Sequence, residues 1–182
     1  MGEIVYSAEK LKELIVYSAE KSRDDPTFGS VKLNKILYYA DFYAYRTLGA
    51  PISGAEYQRL PEGPAPRWLL TDRHDLLADG SIEIEHRQVF NHVQQRVVPK
   101  RPVRPGVLSE REIALVDEVI AALRFMNARQ VSDMSHEELG WRLVGDRETI
   151  PYRTAFLSAE PLTQDQIERG LEVARRHELV GG

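Results

Sequence analysis

The sequence predicts an α+β fold, a predominantly helical single domain over residues 1–182 with a small antiparallel β-hairpin or three-stranded sheet. Three observations carry this expectation. Apolar residues recur at helical spacing up to residue 48 and again after residue 109, and capping or breaking residues bound most of these runs. Between them, Ile82 and Ile84 alternate with Glu83 and Glu85, the period-two pattern of a half-buried strand. The length of 182 residues suits one domain, which takes about 100–200 residues.

The first helix starts near Ser7, a side chain able to cap it, and runs to about Arg23 before Asp24-Asp25-Pro26 stops it. Ile4-Val5-Tyr6-Ser7-Ala8-Glu9-Lys10 recurs unchanged at residues 15–21. An offset of eleven is three helical turns, so both copies fit one face of a continuous helix. A second helix, Val31 to about Leu48, takes Ser30 as its cap and Gly49-Ala50-Pro51 as its stop. It is apolar or aromatic on nearly every side, as expected of the central helix of a helical core. Ala55–Leu60 reads as a short edge strand, and Pro61–Pro66 as a rigid turn. A third helix follows from about Pro66 to Leu77, then a turn at Asp79-Gly80 and a hairpin pairing roughly 81–86 with 90–98. The proline-rich run 99–106 is a connector. Beyond it, Ser109-x-x-Glu112, Ser135-x-x-Glu138 and Thr163-x-x-Gln166 have the spacing of capping boxes. They predict helices to about Phe125, through Leu139, Trp141 and Leu143, and over about 164–179, the last with Ile167, Leu171 and Ala174 on one stripe.

Chemistry is constrained chiefly by exclusion. No cysteine is present, which removes disulfides, thiolate metal sites and a cysteine nucleophile. His74, His86, His92, His136 and His177 show no His-x-x-x-His spacing, and only His86 and His92 could meet across a hairpin, so no metal is expected. There is no Gly-x-Ser-x-Gly elbow and no glycine-rich phosphate loop, so neither an enzyme nor a cofactor is expected. A signal-peptide pattern and an apolar run of spanning length are both missing, which predicts a cytoplasmic protein without a membrane role. The net charge is −4, too mild for a whole-protein field that attracts polyanions. Locally, 87–104 holds no acid but carries Arg87, Arg96, Lys100, Arg101 and Arg104. Such an arm suits an acidic protein partner or nucleic acid equally.

The order of motifs resembles a known family. Lys32-Leu33-Asn34-Lys35-Ile36-Leu37-Tyr38-Tyr39-Ala40-Asp41 precedes Gly54-Ala55-Glu56-Tyr57-Gln58-Arg59-Leu60-Pro61-Glu62-Gly63-Pro64, then Ser135-His136-Glu137-Glu138-Leu139-Gly140-Trp141 and Ile150-Pro151-Tyr152. This set is similar to the SocA-like, or Panacea, antitoxin domain, also found in phage-associated proteins, over roughly residues 7–157. The resemblance implies a helical domain with a small β element. It also implies the antitoxin half of a bacterial or phage toxin–antitoxin pair, binding a toxin encoded by a neighbouring gene. Leu33, Asn34, Tyr39, Asp41, Gly63, Pro64, His136 and Trp141 are expected to be structural, with Trp141 in the core beside Leu139 and Leu143. Lys32, Lys35, Arg96, Lys100, Arg101 and Arg104 are the candidate partner-binding residues. Two other readings stay open: a nucleic-acid-binding regulator using 87–104, and a hydrolase using His136 with a nearby carboxylate.

Overall fold

The computed structural model describes residues 3–89 and 91–157, with Glu168, Arg169 and Glu172 beyond them. Helix α1 spans Ala8–Lys21, and the Ser7 side chain caps it by accepting from the Lys10 amide. The duplicated heptapeptide is divided by that cap. Ile15, Val16 and Tyr17 of the second copy are buried in α1, whereas Ile4, Val5 and Tyr6 precede the helix and stay exposed, so the two copies do not share a helical face.

Helix α2 spans Ser30–Leu48. Gly29, not Ser30, occupies its N-cap, and the Ser30 hydroxyl instead donates to the Gln95 carbonyl. The chain leaves α2 through Gly49 in the left-handed conformation at φ 82°. As its all-round apolar sequence predicts, α2 is central and packs against α1, two later helices and the β elements. Leu33, Ile36, Leu37, Ala40 and Ala44 are buried along it.

The β structure is two separate two-stranded sheets rather than one of three strands. Strands β1 (Tyr57–Gln58) and β2 (Ala65–Pro66) pair across the proline-rich turn, and Thr149 adds a single bridge to Gln58. Pro66 therefore ends a strand, and helix α3 begins later, at Leu69–Ala78. Strands β3 (Ile82–Val89) and β4 (His92–Pro99) form the predicted hairpin, longer than its alternation indicated. The register sets His86 opposite Gln95 and His92 opposite Val89, which separates the two histidines that might have met across it.

Helix α4 (Glu110–Leu123) carries the expected Ser109–Glu112 capping box. Ser135 caps nothing. It lies inside an unforeseen helix α5 (Ala128–His136), whose capping box is Asn127–Gln130, and its hydroxyl donates to the Ser132 carbonyl. Helix α6 is one turn, Leu139–Arg142, followed by a 3-10 helix at Tyr152–Phe156. The predicted helix at about 164–179, with its Thr163–Gln166 cap, lies outside the described residues except for Glu168, Arg169 and Glu172, which are helical and exposed. Among the described residues, no helix is long and apolar enough to cross a membrane.

Long-range polar links tie α1 to the rest of the chain. Tyr17 Oη donates to Asp117 at 2.7 Å, Lys10 Nζ reaches Glu112 at 2.6 Å, and Tyr6 Oη donates to Asp72 at 2.6 Å. The buried Glu13 carboxylate receives the Arg101 guanidinium at 2.5 and 3.0 Å and the Arg104 amide at 2.8 Å, which fixes the connector against α1.

Candidate functional site

Helix α2 presents three charged residues of the family-like motif, and all three point inward. The Lys32 side chain is 1% exposed. Its Nζ donates to Asp25 at 2.6 Å, Thr27 Oγ1 at 2.8 Å, and the Arg124 and Met126 carbonyls at 3.0 and 2.8 Å. One ammonium thus joins the α1–α2 turn to the C-terminal end of α4, where carbonyls left over from the helix favour a cation. Burial alone would raise the Asp25 carboxyl, but Lys32 and the Thr27 hydroxyl and amide outweigh it and hold the group below the usual range.

Lys35, one turn further on, is also buried, and its Nζ donates to the Pro64 carbonyl at 3.2 Å. Burial lowers this ammonium to about 7, against the opposing pull of Glu62. Gly63 lies directly over it at φ 96°, and a side chain there would collide with Ser135 Oγ and Lys35 Cε. Gly63-Pro64 is therefore a lid on Lys35, and glycine is required by both its conformation and its neighbours.

Asp41 is fully buried. Its carboxylate accepts from the Ser53 amide at 2.7 Å, the Ser53 hydroxyl, Tyr57 Oη at 2.8 Å and Tyr152 Oη at 3.3 Å. Burial raises its pKa, and those donors oppose the rise. Leu33 lies in the core, while Asn34 and Tyr39 are half-buried beside it.

His136 and Trp141 form a second cluster. Their rings stack at 4.2 Å, the Arg59 guanidinium lies 4.0 Å from the Trp141 ring, and Trp141 Nε1 donates to the Leu60 carbonyl at 3.1 Å. Trp141 is thus half-buried, packed against the edge of the core and held between a histidine and an arginine, while Leu143 is exposed. His136 Nε2 is buried with no hydrogen-bond partner.

The basic arm is neutralised where it stands. Arg96 is buried and donates to the carbonyls of Ser22, Arg23, Asp25 and Phe28, closing the α1–α2 turn onto the hairpin. Lys100 pairs with Glu83 at 3.0 Å, Arg101 with Glu13, Arg104 with Glu13 at 3.6 Å, and Arg87 with Glu85 at 2.7 Å. Of the six candidate partner-binding residues, Lys32, Lys35 and Arg96 are thus inside the molecule, because each finds oxygen ligands supplied by remote turns. Lys100 and Arg104 remain exposed, Arg101 is half-buried, and each has an acid within the chain.

The surface offers other features. An aromatic groove of about 400 Å³ runs along the outer side of α2 between Tyr38, Tyr39, Phe42 and Tyr43, with Val119 and Ala122 of α4 on one wall. Leu123, Met134, Thr154 and Ala155 complete its neutral lining, and Arg46, Glu118 and Glu138 bring charge to it. Burial raises the Tyr38 and Tyr39 hydroxyls above the ordinary tyrosine range, so both remain donors at any physiological pH. A wider cleft of about 800 Å³ between the hairpin tip and α5 brings His92 and His136 to opposite walls beside Glu62 and Asp133. Among the described residues, no three His, Asp or Glu side chains are placed to hold a metal ion. On α3, Leu70 and Leu77 are exposed two turns apart on one face, with Trp68 exposed at the helix start. The groove escaped sequence reading because α5 did, although Asn127-x-x-Gln130 carries the same capping spacing as Ser109-x-x-Glu112.

A family model described as antitoxin SocA-like, Panacea domain matches residues 33–142, more than half of the chain. The match takes in α2 from Leu33 onward, both small sheets, and α3 to α6. No curated protein and no solved structure shows significant similarity to the chain.

Proposed function

This chain belongs to the antitoxin SocA-like, Panacea-domain family, and from that premise we propose that it is a non-enzymatic antitoxin that neutralises a protein toxin by binding it directly. The family match over residues 33–142 carries the proposal. In this reading the toxin is the product of a neighbouring bacterial or phage gene, and both act in the cytoplasm. The toxin-facing surface is apolar rather than cationic, because the motif lysines and the basic arm spend their charge within the fold. The exposed side chains of α3 suit that role. Trp68 is 52% exposed and Leu70 77% exposed, and interface energy concentrates in large apolar anchors such as tryptophan.

Co-expression with the neighbouring gene product is the direct test. The neighbour alone should arrest growth, and this chain should restore growth and co-purify with it. A harmless neighbour, or a failure of both rescue and co-purification, would overturn the proposal. Leu70→Asp should weaken co-purification while leaving the folded protein intact, since Leu70 contributes little to the core. The second reading, a nucleic-acid-binding regulator using 87–104, would require Lys100, Arg101 and Arg104 to leave their acids within the chain, and Arg96 is buried.

A further inference from the structure

We propose that the exposed face of α3 takes an acidic segment of the partner protein, one whose carboxylate pairs with Arg73 between Leu70 and Leu77. The partner is the toxin of the antitoxin reading, on which this inference rests, and the face dictates the chemistry that the toxin presents to it.

The face follows from helical geometry. Leu69, Asp72 and Leu76 are the buried side of α3. At about 100° per residue, Leu70 and Leu77 lie within about 20° of each other on another side, with Arg73 and His74 between them along the axis. Both leucines are exposed. Arg73 is half-buried, and its Nε has no hydrogen-bond partner. Burial lowers the Arg73 pKa, and no carboxylate among the described residues opposes that shift. The acids of α3 are engaged elsewhere: Asp72 accepts from Tyr6 Oη at 2.6 Å, and Asp75 pairs with Lys12 at 2.6 Å. Lys100, Arg101 and Arg104, by contrast, each have an acid within the chain. A cation drawn partly out of water without an anion is costly, and a carboxylate from outside relieves that cost.

Charge and symmetry select the occupant. Twofold packing of this face against a second copy would bring Arg73 and His74 of each chain together, with no acid on the stripe to separate them. A phosphate backbone would satisfy Arg73 but leave Leu70 and Leu77 against water. A protein segment with one Asp or Glu among apolar side chains meets all three groups, and arginine grips a carboxylate with two parallel hydrogen bonds. Arg73 is then the centre of the contact, and the two leucines exclude water around it.

The test uses the full-length chain and the neighbouring gene product. Arg73→Glu and Arg73→Leu should each weaken binding at least about tenfold and lose growth rescue, while unfolding near the parent's midpoint. Arg73→Leu enlarges the apolar surface as it removes the charge, so a face that bound through apolar contact alone would hold the partner as well as before. It also decides the matter by itself if Arg73→Glu fails to fold. Arg129→Glu, a reversal at an exposed side chain of α5, should leave binding unchanged. Each Asp and Glu of the partner is then replaced singly by Arg. At least one replacement should restore binding to a folded Arg73→Glu while weakening binding to the parent. Undiminished binding by the Arg73 variants, or no restoring replacement, overturns this proposal and leaves the antitoxin reading standing. A neighbour that the parent chain neither silences nor binds overturns both. Sedimentation of the purified chain as a dimer that Leu70→Asp dissociates would give the face to a second copy and also overturn the proposal.

Discussion

Lys35 is the residue whose burial leaves the most legible mark on solution behaviour. Its ammonium is lowered to about 7, while in the unfolded chain it titrates near 10.4. Between those values the unfolded state binds more protons, so stability rises with pH across that window and is insensitive to this group below it. The buried tyrosines Tyr38 and Tyr39 act in the opposite sense: raised in the fold, they stay protonated while unfolded tyrosines ionise near 10, so they lower stability from the top of that window upward. Lys35→Met should therefore remove part of the stability gained between about pH 7 and about pH 10 in urea titrations. At neutral pH the variant should be no less stable than the parent, because it loses a desolvated amine with one hydrogen bond. An equal pH gain in both proteins would show that Nζ is hydrated in solution. The sequence hid all this for a plain reason. Lysine is seldom fully buried unless paired, and the acceptors of Lys32 and Lys35 are largely backbone carbonyls on turns 29 to 94 residues away.

At the scale of elements, the ends of helices were easier to read than their partners. Ser7, Ser109 and Gly49 act where their residue types predict, since capping is a local matter between neighbours in sequence. Ser135-x-x-Glu138 has the same spacing and fails, because Asn127 and Gln130 start a helix earlier and carry Ser135 into its interior. Two matching patterns overlapped, and the apolar residues that decide between them, Val131 and Met134, are too few to make a stripe by themselves. Asn127→Ala should cost about 1 kcal/mol of stability in thermal or denaturant unfolding. Its effect should appear first as faster hydrogen exchange in α5, the helix that brings Met134 to the groove and Ser135 beneath Gly63. A loss spread evenly over the whole chain would indicate instead that α5 and the core unfold as one unit.

For the whole molecule, the class of fold follows from periodicity, but the distribution of charge does not. Five cations without an intervening acid look like a basic arm when read along the chain. In three dimensions Glu13, Glu83 and Glu85 meet four of them, and the carbonyls of the α1–α2 turn take the fifth. Purified protein should accordingly show no gel shift with duplex DNA or single-stranded RNA at low salt. A shift that weakens steeply with salt would mean that those ion pairs open to polyanions. The hydrogen bonds to Asp41 carry one more consequence, and it concerns synthesis. Its donors lie 12, 16 and 111 residues downstream, and the last of them, Tyr152, also donates to the Ala55 carbonyl. As the chain leaves the ribosome, α2 waits with a buried-to-be carboxylate until the 3-10 helix has been made. A truncated product ending before Tyr152 would thus lack both this hydroxyl and the ring that stacks on Phe42, leaving that side of α2 uncovered.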